Sequence, residues 1–301
     1  MLVQPLGGLA ALTALDLQLD DIGGGSADVL APALMRLTRL EALNLARNGV
    51  GKWHSTAAGT AALAHALGTL TALTALDLTN NWESGRGAEA LALTLSRLSR
   101  LQDLRLHDKS MGEVGAAALV QPLGGLTALT TLHLRGNNIP DIAVEALAPA
   151  LRGLSRLADF GLRHSCIRSG GAAALAQALS TLTALTALGL SCCKIDDAGA
   201  EALATVLSRL SQLAELHLQE HELTATGLVA LTPALACLTN LRKINMTSNG
   251  VFSRSVRAQF RESVPASVAE ACVFRVQKTG AMESRAGAAS DTFLRRVRQH
   301  L

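Results

Sequence analysis

Three arginines and three histidines stand at matched intervals in the middle of the chain: Arg105, His107, His133, Arg135, Arg163 and His164. His107, Arg135 and Arg163 follow one another at steps of 28 residues. Guanidinium forks match the geometry of carboxylates and phosphates, so clustered arginines invite an anionic partner. Nearby Asp103 and Asp159 neutralise part of this charge, and a solvated surface of unrelated charges is the competing reading. His107 and His133 also raise a metal site, but no third ligand follows at zinc spacing. A second candidate is Trp53 with Trp82, because Trp is the residue most enriched at binding hot spots. The two also read as packing on each other, with Trp82 replacing the aliphatic residue that Glu83 displaces. Cys192 and Cys193 permit a vicinal disulfide or, alternatively, one exposed and one buried thiol. Nothing in the chain suggests a strained nucleophile turn for a Ser/His/Asp triad. No catalytic residue, metal or cofactor is expected.

The elements that carry these residues come from one repeat. The pattern L-x-x-L-x-L-x-x-N-x-L opens at Leu12, Leu40, Leu73, Leu101, Leu129, Leu157, Leu185, Leu213 and Leu241, and every interval is 28 except the second, which is 33. A fixed period of this length marks a solenoid with one continuous core. The first half of each copy alternates, as in Leu132-His133-Leu134, and period two means a strand with one buried face. The second half keeps Leu at positions 19, 23 and 26, as in Leu91, Leu95 and Leu98, which is one stripe of a helix. A strand that returns to a parallel neighbour through a helix makes a curved, right-handed β-α solenoid. Its sheet is parallel and concave, and its helices are convex. Glycine at the fifteenth place of the repeat (Gly59, Gly87, Gly115, Gly171, Gly199, Gly227) is expected to open the helices where the chain turns tightly. Pro5, Pro32, Pro122, Pro149 and Pro233 fall deep in the helical half and predict short or distorted helices.

In this wording the repeat resembles the ribonuclease-inhibitor-like class of leucine-rich repeats. That class includes the ribonuclease inhibitor, the Ran GTPase-activating protein and the sensor ends of NOD-like receptors. The resemblance covers residues 1–251, and Gly199–Ala204 is nearest to the NOD-like receptor wording. It implies a horseshoe that binds a protein on its concave face, or alternatively a GTPase-activating protein. Position 9, normally Asn, satisfies backbone groups in the turn after the strand. Here it reads Asp20, Asn48, Asn81, Lys109, Asn137, Ser165, Cys193, His221 and Asn249, so the turns at Lys109 and His221 are expected to be looser.

Charge narrows the partner. Residues 252–301 hold nine Arg/Lys and four Asp/Glu, a balance of +5, which leaves −2 on the repeat body of a chain with net charge +3. The Ran activator's tail is acidic, so the basic tail argues against the GTPase-activating alternative. A nucleic-acid-binding solenoid is a further alternative, against which stand the acidic body and the lack of aromatic stacking platforms. Concave side chains come from positions 5, 7 and 8, where repeats 4–6 set three Arg and three His against one acid, Asp108. The expected function is therefore a non-enzymatic scaffold for a protein with an acidic surface.

Residues 252–276 read as a C-terminal cap, with Val256, Phe260 and Val264 on one helix face and a final strand from Cys272. Residues 277–301 read as a basic, disordered tail. At the other end Leu2, Leu6 and Leu9 occupy the helix positions of a repeat whose strand would precede Met1. This implies a fragment, an end that stacks on another chain, or a partial helix that suffices. No run is long and apolar enough for a transmembrane helix. Five irregularly spaced cysteines suit a reducing cytoplasm better than a disulfide framework.

Overall fold

The computed structural model describes residues 10–18, 27–49, 57–81, 85–107, 111–250 and 252–274. The basic tail, Lys109, Pro5 and the leucines of residues 1–9 lie outside them. Each repeat contributes one three-residue strand: β1 (Ala14–Asp16), β2 (Ala42–Asn44), β3 (Ala75–Asp77), β4 (Asp103–Arg105), β5 (Thr131–His133), β6 (Asp159–Gly161), β7 (Ala187–Gly189), β8 (Glu215–His217) and β9 (Lys243–Asn245). Between them run α1 (Ala27–Leu34), α2 (Ala57–Leu67), α3 (Gly85–Leu95), α4 (Gly112–Gly125), α5 (Asp141–Arg152), α6 (Ser169–Leu179), α7 (Asp197–Leu207) and α8 (Ala225–Ala236). The strands pair in chain order in one parallel sheet, and a tenth, β10 (Cys272–Val273), is added by the residues after the repeats. Equivalent residues face each other, so Arg105 pairs with His133 and His133 with Gly161. The sheet is the concave side of an α/β horseshoe, and the helices are its outer wall.

One residue type accounts for the core. The central strand residues Leu43, Leu76, Leu104, Leu132, Leu188 and Leu216 are fully buried, as are the helix leucines Leu67, Leu95, Leu147 and Leu179. Phe160 takes the central place in β6 and is the largest fully buried side chain. β1 differs: its Leu15, with Leu12 and Leu17 beside it, is only partly buried. After β9 the chain forms α9 (Arg254–Ser263) and α10 (Ala266–Ala271). Phe260 is buried there, and Phe274 packs edge-on against both Phe252 and Phe260.

In several repeats position 9 closes the turn after its own strand and the turn of the repeat before. The Asn81 amide donates to the Leu78 carbonyl in its own repeat and to the Leu45 carbonyl in the one before. Asn137 does the same with Leu134 and Leu106, and Asn249 with Met246 and Leu218. Cys193 occupies the slot with its thiol on the Leu162 carbonyl. The His221 turn is not loose, contrary to expectation. Its imidazole is buried, and Nδ1 faces the Cys193 carbonyl.

Two further expectations are corrected. The recurrent glycines Gly171, Gly199 and Gly227 lie inside the first helical turn, and their reason is close approach. A Cβ on Gly171 would run into Asp141 Oδ1 and stand 3.0 Å from Ile167 Cγ2. That same Asp141 oxygen accepts the Arg168 amide of the next helix start, 2.7 Å away. Asp197 repeats the arrangement on Thr224, and a Cβ on Gly227 would collide with it. Nor do the prolines shorten most helices. α4, α5 and α8 have 14, 12 and 12 residues, against 11 in the proline-free α2, α3, α6 and α7. Pro122, Pro149 and Pro233 all sit in the last turn. Each forfeits one i→i−4 bond there, where few helical bonds remain to be lost.

Candidate functional site

On a strand, residues two apart share a face. Positions 3, 5 and 7 of every repeat therefore line the concave side in three rows. Backbone bonds continue the ladder past the strands, from Asn80 to the His107 carbonyl and from Gly136 to the Arg163 carbonyl. Row 7 is thus held as firmly as the sheet itself.

Row 3 carries carboxylates that the count of positions 5, 7 and 8 passes over. Asp103 binds Arg105 through two parallel bonds, Nε to Oδ1 at 3.0 Å and Nη2 to Oδ2 at 3.1 Å. Both side chains are 5% exposed. Arg105 is therefore a buried, paired group and not the partner-facing cation that its spacing suggests. Asp77, opposite it on β3, is half-buried. Burial raises its pKa, and a hydrogen bond from Thr79 and the charge of Arg105 only partly offset that. Such a network holds its place because removing one member strands a charge in a dry site.

His107 and His133 meet ring to ring, with centroids 5.5 Å apart and planes tilted by 51°. Burial, and then the neighbouring His133, Arg105, Arg135 and Arg163, push the His107 pKa down to about 3. Its Nε2 is buried with no hydrogen-bond partner. His133 turns the other way and reaches Asp159 Oδ1 at 3.0 Å. Burial alone would raise the Asp159 pKa, but the bond and charge of His133, with Arg105 and Arg163, bring it below its ordinary value. Further along, His217 and Lys243 both reach Glu215 Oε2, at 3.2 and 3.1 Å. Burial and the charge of Arg163 lower the His217 pKa to about 4.

The remaining cations differ in setting. Arg135 is exposed and has no ion pair among the described residues. Arg163 lies across the next strand, its Nε 2.7 Å from where a Cβ on Gly189 would stand. His164 is exposed at the rim with φ 57°, and burial together with Arg135 lowers its pKa. The same left-handed backbone recurs one and two repeats on at Cys192 and Glu220. The Cys192 thiol donates to Glu220 Oε2 at 3.2 Å. Burial and then Glu220 push its pKa up to about 11, and burial pushes Cys193 to about 12. Neither thiol is activated as a nucleophile, which needs a lowered pKa. All five cysteines are free thiols, so the vicinal pair is not bonded.

Among the described residues no group of three His, Cys, Asp or Glu is placed to hold a metal, and no helix is long and apolar enough to cross a membrane. A cavity of about 290 Å³ lies on the outer wall between α5 and α6, lined by Glu145, Pro149, Arg152 and Gln177 among others, away from the charged rows. Trp53, Trp82 and Asp108 lie outside the described residues. Sequence reasoning named Asp103 and Asp159 as neutralising charges but missed Glu215 and the part played by the glycines at Gly161 and Gly189. Period two, applied from position 3 onward, contains both.

Comparison with known proteins follows the same periodicity. The leucine-rich repeat family profile matches residues 69–92, 125–148 and 181–204, at steps of twice the 28-residue period. No curated protein matches the chain. Among solved structures, an internalin from Listeria monocytogenes str. 4b is similar at 17% identity and a TM-score of 0.40, over 84% of this chain and 77% of that one. The TLR13–ssRNA13 complex is similar at 19% identity and a TM-score of 0.42, over 86% of this chain and 39% of that one. The profile falls in phase with the leucine spine, the ten-stranded parallel sheet and its outer helices, and the matched stretches are leucine-rich repeats.

Proposed function

We propose that this protein is a non-enzymatic scaffold that binds a protein partner on its concave face, through acidic groups of that partner. The observation that carries the reading is Arg135. It is an exposed guanidinium, unpaired among the described residues, on a rigid sheet whose concave carboxylates Asp103, Asp159 and Glu215 are already engaged. Groups held on rigid strands lose little entropy on binding. The repeats themselves fit the ribonuclease-inhibitor-like class by their 28-residue wording. Free thiols with raised pKa values suit a reducing, cytoplasmic setting.

The test is affinity capture with the full chain and three variants, followed by identification of what is retained. Thr79→Trp and Asn245→Trp block opposite ends of the concave face. Arg135→Ala with Arg163→Ala removes two of its arginines and leaves the buried Arg105 pair intact. A partner lost from all three, and released by salt, supports the reading. A partner retained by all three refutes it.

A further inference from the structure

Row 5 of the concave sheet is filled by side chains except at two neighbouring strands, where it reads Gly161 and Gly189. Glycine weakens a strand and marks a place where something approaches the backbone closely. Here two side chains approach from the preceding strands. The His133 ring leans over Gly161, its Cδ2 3.3 Å from the position of an added Cβ. The Arg163 guanidinium lies over Gly189, with Nε at 2.7 Å and Nη2 at 3.4 Å from that position. A side chain at 189 would displace it. The two glycines therefore make a depression in the floor of the face, with a cation laid along it.

The walls of the depression carry polar atoms without partners. Ser191 lies two residues beyond Gly189 on the same face. It is 1% exposed, and its Oγ has no hydrogen bond in the structure. Gln219 Oε1, next in row 7, is buried and unpartnered too. Buried polar atoms are nearly always bonded, so an orphan hydroxyl beside a cation points to a missing partner. Charge gives that partner's sign. Asp103 is held by Arg105, Asp159 by His133, and Glu215 by His217 and Lys243, while Arg135 stands at the edge of the depression with no such counter-ion among the described residues.

We propose that the Gly161–Gly189 depression is a seat for one carboxylate side chain of an acidic polypeptide. Arg135 and Arg163 grip the carboxylate, and the Ser191 hydroxyl donates to it. This rests on the concave-face reading and names the group recognised there. The row-3 acids repel a long polyanion laid across all three rows. The described residues of those rows include no Phe, Tyr or Trp on which a base could stack. A single carboxylate meets only the basic side.

Fluorescence anisotropy with labelled hexaglutamate tests the seat, with labelled hexalysine and a single-stranded oligothymidylate in parallel arms. Arg135→Gln and Arg163→Gln are each expected to weaken hexaglutamate binding by about tenfold or more, the scale of a hydrogen bond to a charged group. Gly189→Val leaves the charge unchanged and is expected to cause a comparable loss by displacing Arg163. Gly189→Ala, a smaller block, is the second variant should Val disturb folding in a thermal melt. Overturning results are hexaglutamate bound equally by the parent and both Gly189 variants, or hexalysine preferred to hexaglutamate. Oligothymidylate binding that matches hexaglutamate and ignores Gly189 also overturns the seat, since it describes a diffuse polyanion surface. A captured partner displaced by Thr79→Trp but indifferent to Gly189→Val sinks the seat and leaves the concave reading standing.

Discussion

His221→Asn tests the turn-closing ladder and its pH dependence in one variant. His221 is 6% exposed, its Nδ1 faces the Cys193 carbonyl, and its Nε2 is buried without a partner. Burial lowers its pKa from 6.5 to about 4, and the bonds to backbone only partly oppose this. A folded-state pKa below the unfolded value means that the unfolded chain binds the extra proton. Stability from this group is then full above about pH 6.5 and is lost as pH falls toward 4. At pH 5 the loss relative to pH 7.5 is about 2 kcal/mol, from roughly 1.4 kcal/mol per pKa unit. An Asn placed as Asn249 is would instead reach the Leu218 and Leu190 carbonyls, as Asn249 reaches those of Met246 and Leu218. Two neutral hydrogen bonds contribute about 1 kcal/mol each, and the unpartnered nitrogen is removed. Urea melts of both proteins at pH 7.5 and pH 5.0 are the assay. The variant is expected to be more stable at pH 7.5 by about 1 kcal/mol. Its drop between the two pH values should be smaller than the parent's by about 2 kcal/mol. Equal drops in the two proteins would refute the argument, because they would mean that His221 titrates no differently in the fold than in the open chain.

Other substitutions separate packing from surface in the same melts. Arg105→Ala strands the buried Asp103 carboxylate and is expected to cost about 3–5 kcal/mol, whereas Arg135→Ala should stay within about 0.5 kcal/mol. Gly171→Ala places a methyl group against Asp141 and should cost about 1–3 kcal/mol. Gly124→Ala, in α4 with open space around it, should instead stabilise by about 0.5–1 kcal/mol. Leu147→Ala removes a fully buried outer-helix leucine and should cost about 2–5 kcal/mol. A loss under about 1 kcal/mol would mean that the outer wall is loosely packed.

The fold was legible because its parts repeat. A constant 28-residue step forces in-register parallel pairing, so Arg105 opposite His133 follows from counting alone. Leucine at three helix positions and two strand positions settles which faces are buried. The site was less legible, for reasons of scale. Whether Arg105 faces a partner or Asp103 depends on which of two same-face neighbours its fork reaches, and a spacing rule holds both. A glycine that recurs at each helix start invites a turn explanation when only the sequence is seen. The Asp141 carboxylate that excludes a side chain at Gly171 belongs to the preceding repeat and is visible only once helices are stacked. Proline looks disruptive until the helices are seen to run on to a last turn that begins at it.

The position-9 side chains have a direction. Asn81 closes a turn at Leu45, Asn137 at Leu106, Cys193 at Leu162 and Asn249 at Leu218, and in each case the later residue serves the earlier one. A ribosome makes the earlier carbonyl first. Its bond from the next repeat waits until 31 more residues have been added, in the three cases where the spacing is regular. At about 5–20 residues per second, that is a delay of roughly 2–6 s per turn. The horseshoe is thus completed from behind, one coil late, and the newest coil on the growing chain is always the unfinished one. The debt passes along to Asn249 in the ninth repeat, which closes both Leu218 and its own Met246. Beyond it two short helices and β10 follow the ninth repeat.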